Sequence, residues 1–190
     1  ALTSIPSISA LKSVKMTMEP PSGLRQNLLQ NYEGFENSSL TTRKPAEYKK
    51  LLFAFSFFHA IVQDRRKFGA IGWNIPYAFT YEDFDVCRRQ LKIFLDNYDQ
   101  IPFKVLNTLG AEINYGGRVT DDKDVRLIKS ILARFVNKMF QRSFGLSDSG
   151  IYKSIPEGSK EDYINYIQSL PLNPSPEAFG LHENAEIITN

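Results

Sequence analysis

The sequence is poor in the residues that build disulfides and metal sites. Its 190 residues include one cysteine, Cys87, and two histidines, His59 and His182, which are far apart in the chain. One cysteine cannot form an internal disulfide, which favours a reducing compartment. Two separated histidines without a cysteine pair do not match the ligand spacing of a zinc site. The longest apolar run, residues 51–58, is interrupted by a serine and is far shorter than the ~20 residues of a membrane span.

A strong charge of one sign is also missing. The net charge is +2, with +5 over residues 1–95 and −3 over residues 96–190. A nucleic-acid-binding domain would show a concentrated basic stripe instead. We therefore predict neither a nucleic-acid partner nor a membrane partner. The 42% content of hydrophobic residues is ordinary for a globular domain, and a chain of this length buries enough surface to fold without a metal.

Sequence motifs for common catalytic chemistry are absent as well. The chain contains no GxxxxGK[ST], GxGxxG, GxSxG, HExxH or EF-hand pattern, so it offers no recognisable phosphate cradle, nucleophile or metal loop. We accordingly predict no catalytic, cofactor-binding or metal-binding residues, and no enzymatic activity for this chain itself.

Hydrophobic spacing and capping residues predict an all-α helical bundle. The apolar residues recur at helical spacing in six segments, bounded by Pro45, Gly69 and Pro102 and by the cap pairs Thr80/Asp83 and Ser159/Asp162. These predicted helices cover residues 23–32, 47–68, 80–98, 102–113, 121–135 and 159–170. The sequence predicts an irregular N-terminal segment that allows one or two short strands, at residues 2–5 and 14–18. It also predicts a short extended piece at residues 151–155.

The second predicted helix is apolar on two sides and should lie at the centre of the core. It contains His59, for which a core histidine with a backbone partner is a better interpretation than a catalytic role. Cys87 follows the apolar spacing of the next helix and is interpreted as a small buried hydrophobic residue. In the fourth helix, Leu106, Leu109 and Ile113 are predicted to face inward.

Three short segments carry the candidate functional residues. The aromatic loop at residues 72–77 presents Trp73, which we expect to be exposed. The Gly116-Gly117-Arg118 turn either directs Arg118 to a partner's phosphate or pairs it with Asp121 or Asp122; we expect pairing with a nearby carboxylate of the chain. Asp121, Asp122 and Asp124 form either a carboxylate cluster for Mg²⁺ or Ca²⁺ or the acidic start of a helix, and the helix start is the better interpretation.

Five ordered segments together resemble the dynein heavy chain. They are residues 14–25, 57–69 (FFHAIVQDRRKFG), 72–77 (GWNIPY), 114–122 (NYGGRVTDD) and 169–185. None is specific alone, but the ordered set spans nearly the whole chain. The short connection at residues 98–102 resembles axonemal heavy chains more than cytoplasmic ones.

The resemblance implies a place near the end of the motor ring. Residues 1–40 would be the tail of the large subdomain of the sixth AAA+ module, and residues 41–190 its helical lid. Such a lid is a non-catalytic structural element that packs against neighbouring modules and the C-terminal domain. The parent motor would be a microtubule-dependent ATPase that holds ATP and Mg²⁺ in other modules, with this chain holding no cofactor.

The same resemblance implies the partners and the site. The partners would be other modules of the heavy chain and, through the parent, dynein intermediate and light chains and microtubules. The location would be the cytoskeleton, in the axoneme of a cilium or flagellum. The candidate interface or structural residues are Trp73, Asn74, Pro76, Tyr115, Gly116, Gly117, Arg118, Asp121 and Asp122. The alternative is a self-standing helical interaction module that recruits a partner through residues 73–79 and the aromatic helix.

Overall fold

Helices dominate the described part of the chain, as the spacing predicts. The computed structural model describes residues 23–33, 42–138, 147, 149–153, 155 and 158–188, and every structural statement here concerns those residues. The helices are α1 (Leu24–Glu33), α2 (Pro45–Asp64), α3 (Gly69–Gly72), α4 (Tyr81–Asn97), α5 (Phe103–Asn107), α6 (Asp122–Lys138) and α7 (Lys160–Ser169). A π-helical segment, Thr108–Tyr115, continues α5, and 3₁₀ turns cover Arg65–Phe68, Gly116–Arg118, Pro176–Phe179 and Glu183–Ile188.

The all-α prediction is confirmed, and no β-strand occurs within the described ranges. The two N-terminal strands allowed by the sequence, at residues 2–5 and 14–18, lie outside those ranges. The extended piece predicted at residues 151–155 is only partly described. No described helix is both long and apolar enough to cross a membrane.

Helix α2 occupies the centre of the bundle. Pro45 stands in its first turn, where the missing N–H of proline costs no hydrogen bond. All residues from 51 to 62 are buried, because α2 packs against α1, α4 and α6 on different sides. The prediction of a helix that is apolar on two sides and central to the core is therefore confirmed.

The C-terminal end of α2 differs from the prediction of one helix through residue 68. The α-helical winding ends at Asp64 and tightens into the 3₁₀ turn Arg65–Phe68. Gly69 then takes a φ of 54°, a conformation that glycine adopts without steric cost. At Gly72, a Cβ would lie 1.8 Å from the backbone oxygen of Arg65, so only glycine permits the chain to return this closely to α2.

The two predicted capping boxes are present. At the start of α4, the Thr80 N–H donates to Asp83 Oδ2 over 2.9 Å. At the start of α7, the Ser159 N–H donates to Asp162 Oδ2 over 2.7 Å and the Asp162 N–H donates to Ser159 Oγ over 3.2 Å. Each box satisfies amide groups that the first helical turn leaves without a partner, which fixes where these helices begin.

The fourth predicted helix changes its winding midway. The i→i+5 hydrogen bonding of the π-helical segment shifts side chains away from the 3.6-residue period. As a result Leu106 is buried as predicted, but Ile113 is 56% exposed, and its predicted inward position is wrong. Gly110 brings this segment close to its neighbours, since a Cβ there would lie 2.7 Å from Leu132 Cδ2 and 3.0 Å from Phe55 Cε1.

Candidate functional site

The candidate residues from three separate segments meet at one place in the fold. We call residues 73–77, 115–118 and 121–124 the loop–helix cluster. Its loop, residues 73–77, follows α3. Residues 115–118 end the π-helical segment and form the 3₁₀ turn, and residues 121–124 lie at the start of α6. Hydrogen bonds link the loop to the start of α6, and an aromatic contact links Phe79, just after the loop, to Tyr115 at a ring-centroid distance of 5.5 Å.

Trp73 lies inside this cluster, so its predicted exposure is wrong. The side chain is 3% exposed. Its indole N–H donates to the backbone oxygen of Val62 over 3.1 Å, and its ring meets Tyr77 edge-on at 5.7 Å. The Arg65 guanidinium lies 5.6 Å from the indole centroid. A buried tryptophan with its single donor satisfied is a packing residue, and it holds the loop against the end of α2.

Asp124 is the most heavily hydrogen-bonded side chain of the cluster. Its buried carboxylate accepts from the Asn74 N–H at 3.2 and 3.1 Å, from the Ile75 N–H at 3.3 Å and from the Tyr77 hydroxyl at 3.1 Å. Charge-assisted hydrogen bonds of this kind are stronger than neutral ones. The sequence showed Asp124 only as a helix-start carboxylate, because its partners lie about fifty residues upstream.

Asp121 adds a second set of contacts between the loop and α6. It accepts from Asn74 Nδ2 over 3.0 Å and from the N–H groups of Lys123 and Asp124 over 2.9 and 3.1 Å. The hydrogen bond from Asn74, followed by these backbone bonds, lowers the pKa of Asp121. Asp122 is exposed. The three carboxylates thus lie in different surroundings. Among the described residues, no three His, Cys, Asp or Glu side chains are grouped so that they could bind a metal ion.

At the base of the cluster, Tyr115 shares a hydrogen bond with His59 of α2, deep in the core. The Tyr115 hydroxyl lies 2.7 Å from His59 Nδ1, and both side chains have 0% exposure. Burial lowers the pKa of His59 to about 3, so the ring is neutral at physiological pH. His59 is a core histidine as predicted, but its partner is a tyrosine side chain rather than the backbone. Cys87 is also buried as predicted, and burial raises its pKa to about 12.

The two glycines and Arg118 form a tight 3₁₀ turn. At Gly116 a Cβ would lie 2.5 Å from the backbone oxygen of Ala111, whereas Gly117 faces open space. The Arg118 Nε lies 3.0 Å from Asp83 Oδ1. The expected carboxylate partner within the chain is therefore present, but it is Asp83 of the α4 capping box, not Asp121 or Asp122. Asp83 accepts a hydrogen bond from the backbone N–H of Thr80 and also pairs with the Arg118 side chain. Sequence spacing does not reveal that one carboxylate has both partners.

The cluster combines a buried base with an exposed rim. Asn74, Pro76, Gly117 and Asp122 are exposed, and the Arg118 side chain is 50% exposed. The base beneath them is fixed by Trp73, Tyr115 and Asp124. The aromatic side chains of residues 73–79 and of α2, which the alternative interpretation assigned to a partner surface, are buried instead. Within the loop–helix cluster, the rim is the part that is open to contact with another surface.

Comparison with known proteins finds a matching family model and curated relatives. The family model described as dynein heavy chain AAA lid domain matches residues 48–185. Mouse dynein axonemal heavy chain 3 is 47% identical over 196 residues, covering 98% of this chain and 5% of the relative. Human dynein axonemal heavy chain 1 is 50% identical over 194 residues, covering 98% and 4%. The chain thus spans about one-twentieth of the length of these curated relatives.

Proposed function

Since the chain belongs to the dynein heavy chain family, in which it corresponds to the AAA lid domain, we propose that it is a non-catalytic structural lid in the motor ring of an axonemal heavy chain. In this role the lid transmits changes of ring shape through rigid packing, and its contribution to movement is the geometry of its interfaces. The parent heavy chain would supply the microtubule-dependent ATPase activity, with ATP and Mg²⁺ held in other modules.

We further propose the position of the lid within that parent. Residues 1–40 are the end of the large subdomain of the sixth AAA+ module and residues 41–190 are its lid, which packs against neighbouring modules and the C-terminal domain. The partners of the whole motor would be microtubules and the dynein intermediate and light chains, in the axoneme of a cilium or flagellum. The axonemal names of the relatives support this location.

The observation that supports the lid proposal is how the polar side chains in and around the loop–helix cluster are used. The carboxylates of Asp124 and Asp83 and the ring of His59 bond to groups of this same chain. Side chains engaged in this way orient backbone and pack helices, and they do not converge on an open position for a substrate. What remains outward is the exposed rim, which lies on a hydrogen-bonded base. Interfaces that are already formed before binding change little in backbone shape.

Calorimetry with nucleotide tests the non-catalytic part of this proposal. We expect titration of the 190-residue chain with Mg·ATP to give no binding heat above that of buffer. Stoichiometric binding at micromolar affinity would overturn the proposal, because the lid would then hold nucleotide itself. The Asp122→Asn variant, altered at an exposed carboxylate, serves as a control for heats that arise from weak ion association at the surface.

A further inference from the structure

One tyrosine differs from all the others in its exposure. The chain contains nine tyrosines, and all nine lie within the described ranges. Tyr98 is 46% exposed, whereas the other eight are buried or partly buried. Those eight are Tyr32, Tyr48, Tyr77, Tyr81, Tyr115, Tyr152, Tyr163 and Tyr166. An enzyme that acts on a phenol of the folded chain therefore has one exposed target.

Tyr98 lies where α4 ends and the connection to α5 begins. Its backbone is extended, with a φ of −107° and a ψ of 136°, and residues 98–102 belong to no helix. The Tyr98 ring lies beside that of Phe94 at a centroid distance of 5.8 Å, and its backbone oxygen accepts a hydrogen bond from Lys44 Nζ. Within the described ranges, no hydrogen bond engages the Tyr98 hydroxyl. The backbone is thus anchored, while the phenol oxygen is available to react.

Acidic residues stand on both sides of Tyr98. Asp96 precedes it by two residues, and Asp99 follows it directly. The Asp96 carboxylate is already engaged, because its Oδ1 accepts from the Arg43 N–H over 2.8 Å. Asp99 is exposed, so its charge is open to a cationic groove on another protein. Complementary charges of this kind steer and orient a partner on an exposed segment.

We propose that Tyr98 is a phosphorylation site for a protein tyrosine kinase that selects acidic residues beside its target. The Tyr98 phenol oxygen attacks the γ-phosphorus of ATP bound to the kinase, and the bond from that phosphorus to ADP breaks as the new O–P bond forms. The phenol proton passes to a carboxylate of the kinase. The product carries a phosphate with a charge of about −1.5 to −2 at neutral pH. This proposal does not depend on the lid function, because the connection between α4 and α5 lies outside the loop–helix cluster.

Tyr81 supplies a comparison within the same helix. It is followed directly by Glu82 and Asp83, so its sequence is also acidic. Tyr81 opens α4, however, where Asp83 closes the capping box and the Tyr81 ring lies 5.9 Å from that of Phe84. A kinase that reads sequence alone would modify both tyrosines. Of the two, the folded structure exposes Tyr98, so selectivity between them reports on the fold.

Phosphorylation in vitro tests the proposal. We would incubate the 190-residue chain with Mg·ATP and a tyrosine kinase that phosphorylates random copolymers of glutamate and tyrosine, and map the phosphate by mass spectrometry. Peptides of residues 78–86 and 94–102, with one tyrosine each, serve as unfolded references. We expect both peptides to be phosphorylated and the folded chain to gain one phosphate, at Tyr98. The proposal would be overturned if Tyr98 gained no phosphate in the chain, or if Tyr81 gained it faster.

Two substitutions separate the target from its recognition. Tyr98→Phe removes the hydroxyl alone and should abolish incorporation of phosphate. Asp99→Asn should slow phosphorylation about two- to fivefold, the size expected for one exposed ion pair with the kinase. Asp122→Asn is the matched control, since it makes the same change at another exposed aspartate and should leave the rate unchanged. Undiminished incorporation in Tyr98→Phe, or an unchanged rate in Asp99→Asn, would refute the assignment.

Discussion

Acid sensitivity at His59 is the sharpest energetic consequence of the buried core. The folded-state pKa of this ring is about 3, whereas an unfolded histidine titrates near 6.5. As pH falls below about 6.5, the unfolded chain binds a proton at this position and the folded chain does not. The contribution of the neutral His59 ring to the free energy of unfolding is therefore fully present above about pH 6.5, and it is lost as the pH falls from there toward 3.

The size of the effect follows from that shift. One pKa unit corresponds to about 1.36 kcal/mol, so the free energy of unfolding should fall by about 2 kcal/mol between pH 7 and pH 5 through His59 alone. The ring has 0% exposure, so solvent screening does not reduce this value substantially. In a domain of marginal stability, about 2 kcal/mol is a substantial share of the whole.

Urea unfolding followed by Trp73 fluorescence measures this loss at pH 7, 6 and 5. The variant His59→Gln should show a fall between pH 7 and pH 5 that is smaller by about 2 kcal/mol, because glutamine does not titrate. His182→Gln is the matched control, because it makes the same substitution at an exposed histidine. If His59→Gln retained the full pH dependence, the reasoning from burial would be refuted.

Three further substitutions test the packing and the cluster, each by the free energy of unfolding in urea. Phe58→Ala should cost about 3–5 kcal/mol, because Phe58 has 0% exposure and its removal leaves a cavity; a loss under about 1 kcal/mol would mean an exposed position. Asp124→Ala should cost at least about 2 kcal/mol, since the buried Tyr77 hydroxyl and the N–H groups of Asn74 and Ile75 lose their acceptor, while Asp122→Ala should cost under about 0.5 kcal/mol. Gly72→Ala should cost more than about 2 kcal/mol, since its Cβ would collide with a backbone oxygen, and an unchanged value would contradict that geometry.

The helices and caps were predictable because their signals are local. The apolar spacing of α2 and the Thr80/Asp83 and Ser159/Asp162 pairs lie within single helices, and the structure has each of them. The inward position predicted for Ile113 was wrong because the apolar spacing does not show where the α-helical winding changes to π-helical winding. The family could be recognised because its marker segments occur in order, although none is informative alone.

The pairings within the cluster were less predictable because they cross the chain. Arg118 has two acidic residues close in sequence, yet it binds Asp83, which lies 35 residues away. Trp73 stands in a loop that contains proline and asparagine, so composition favours exposure, but its indole reaches the last turn of α2. His59 finds its partner 56 residues away. Such contacts depend on how helices pack, and single-sequence spacing does not specify that packing.

The gliding velocity of microtubules on the parent heavy chain tests the structural-lid proposal most directly. We compare Asp122→Arg, which reverses a charge on the exposed rim, with Asp99→Arg, which reverses an exposed charge in the connection between α4 and α5. We predict that Asp122→Arg slows gliding while the 190-residue chain stays folded and loses no more than the about 1 kcal/mol that a cation in the first turn of a helix costs, and that Asp99→Arg leaves gliding unchanged. Gliding at the unmodified velocity by the Asp122→Arg motor would contradict the proposal that this rim packs against a neighbouring module.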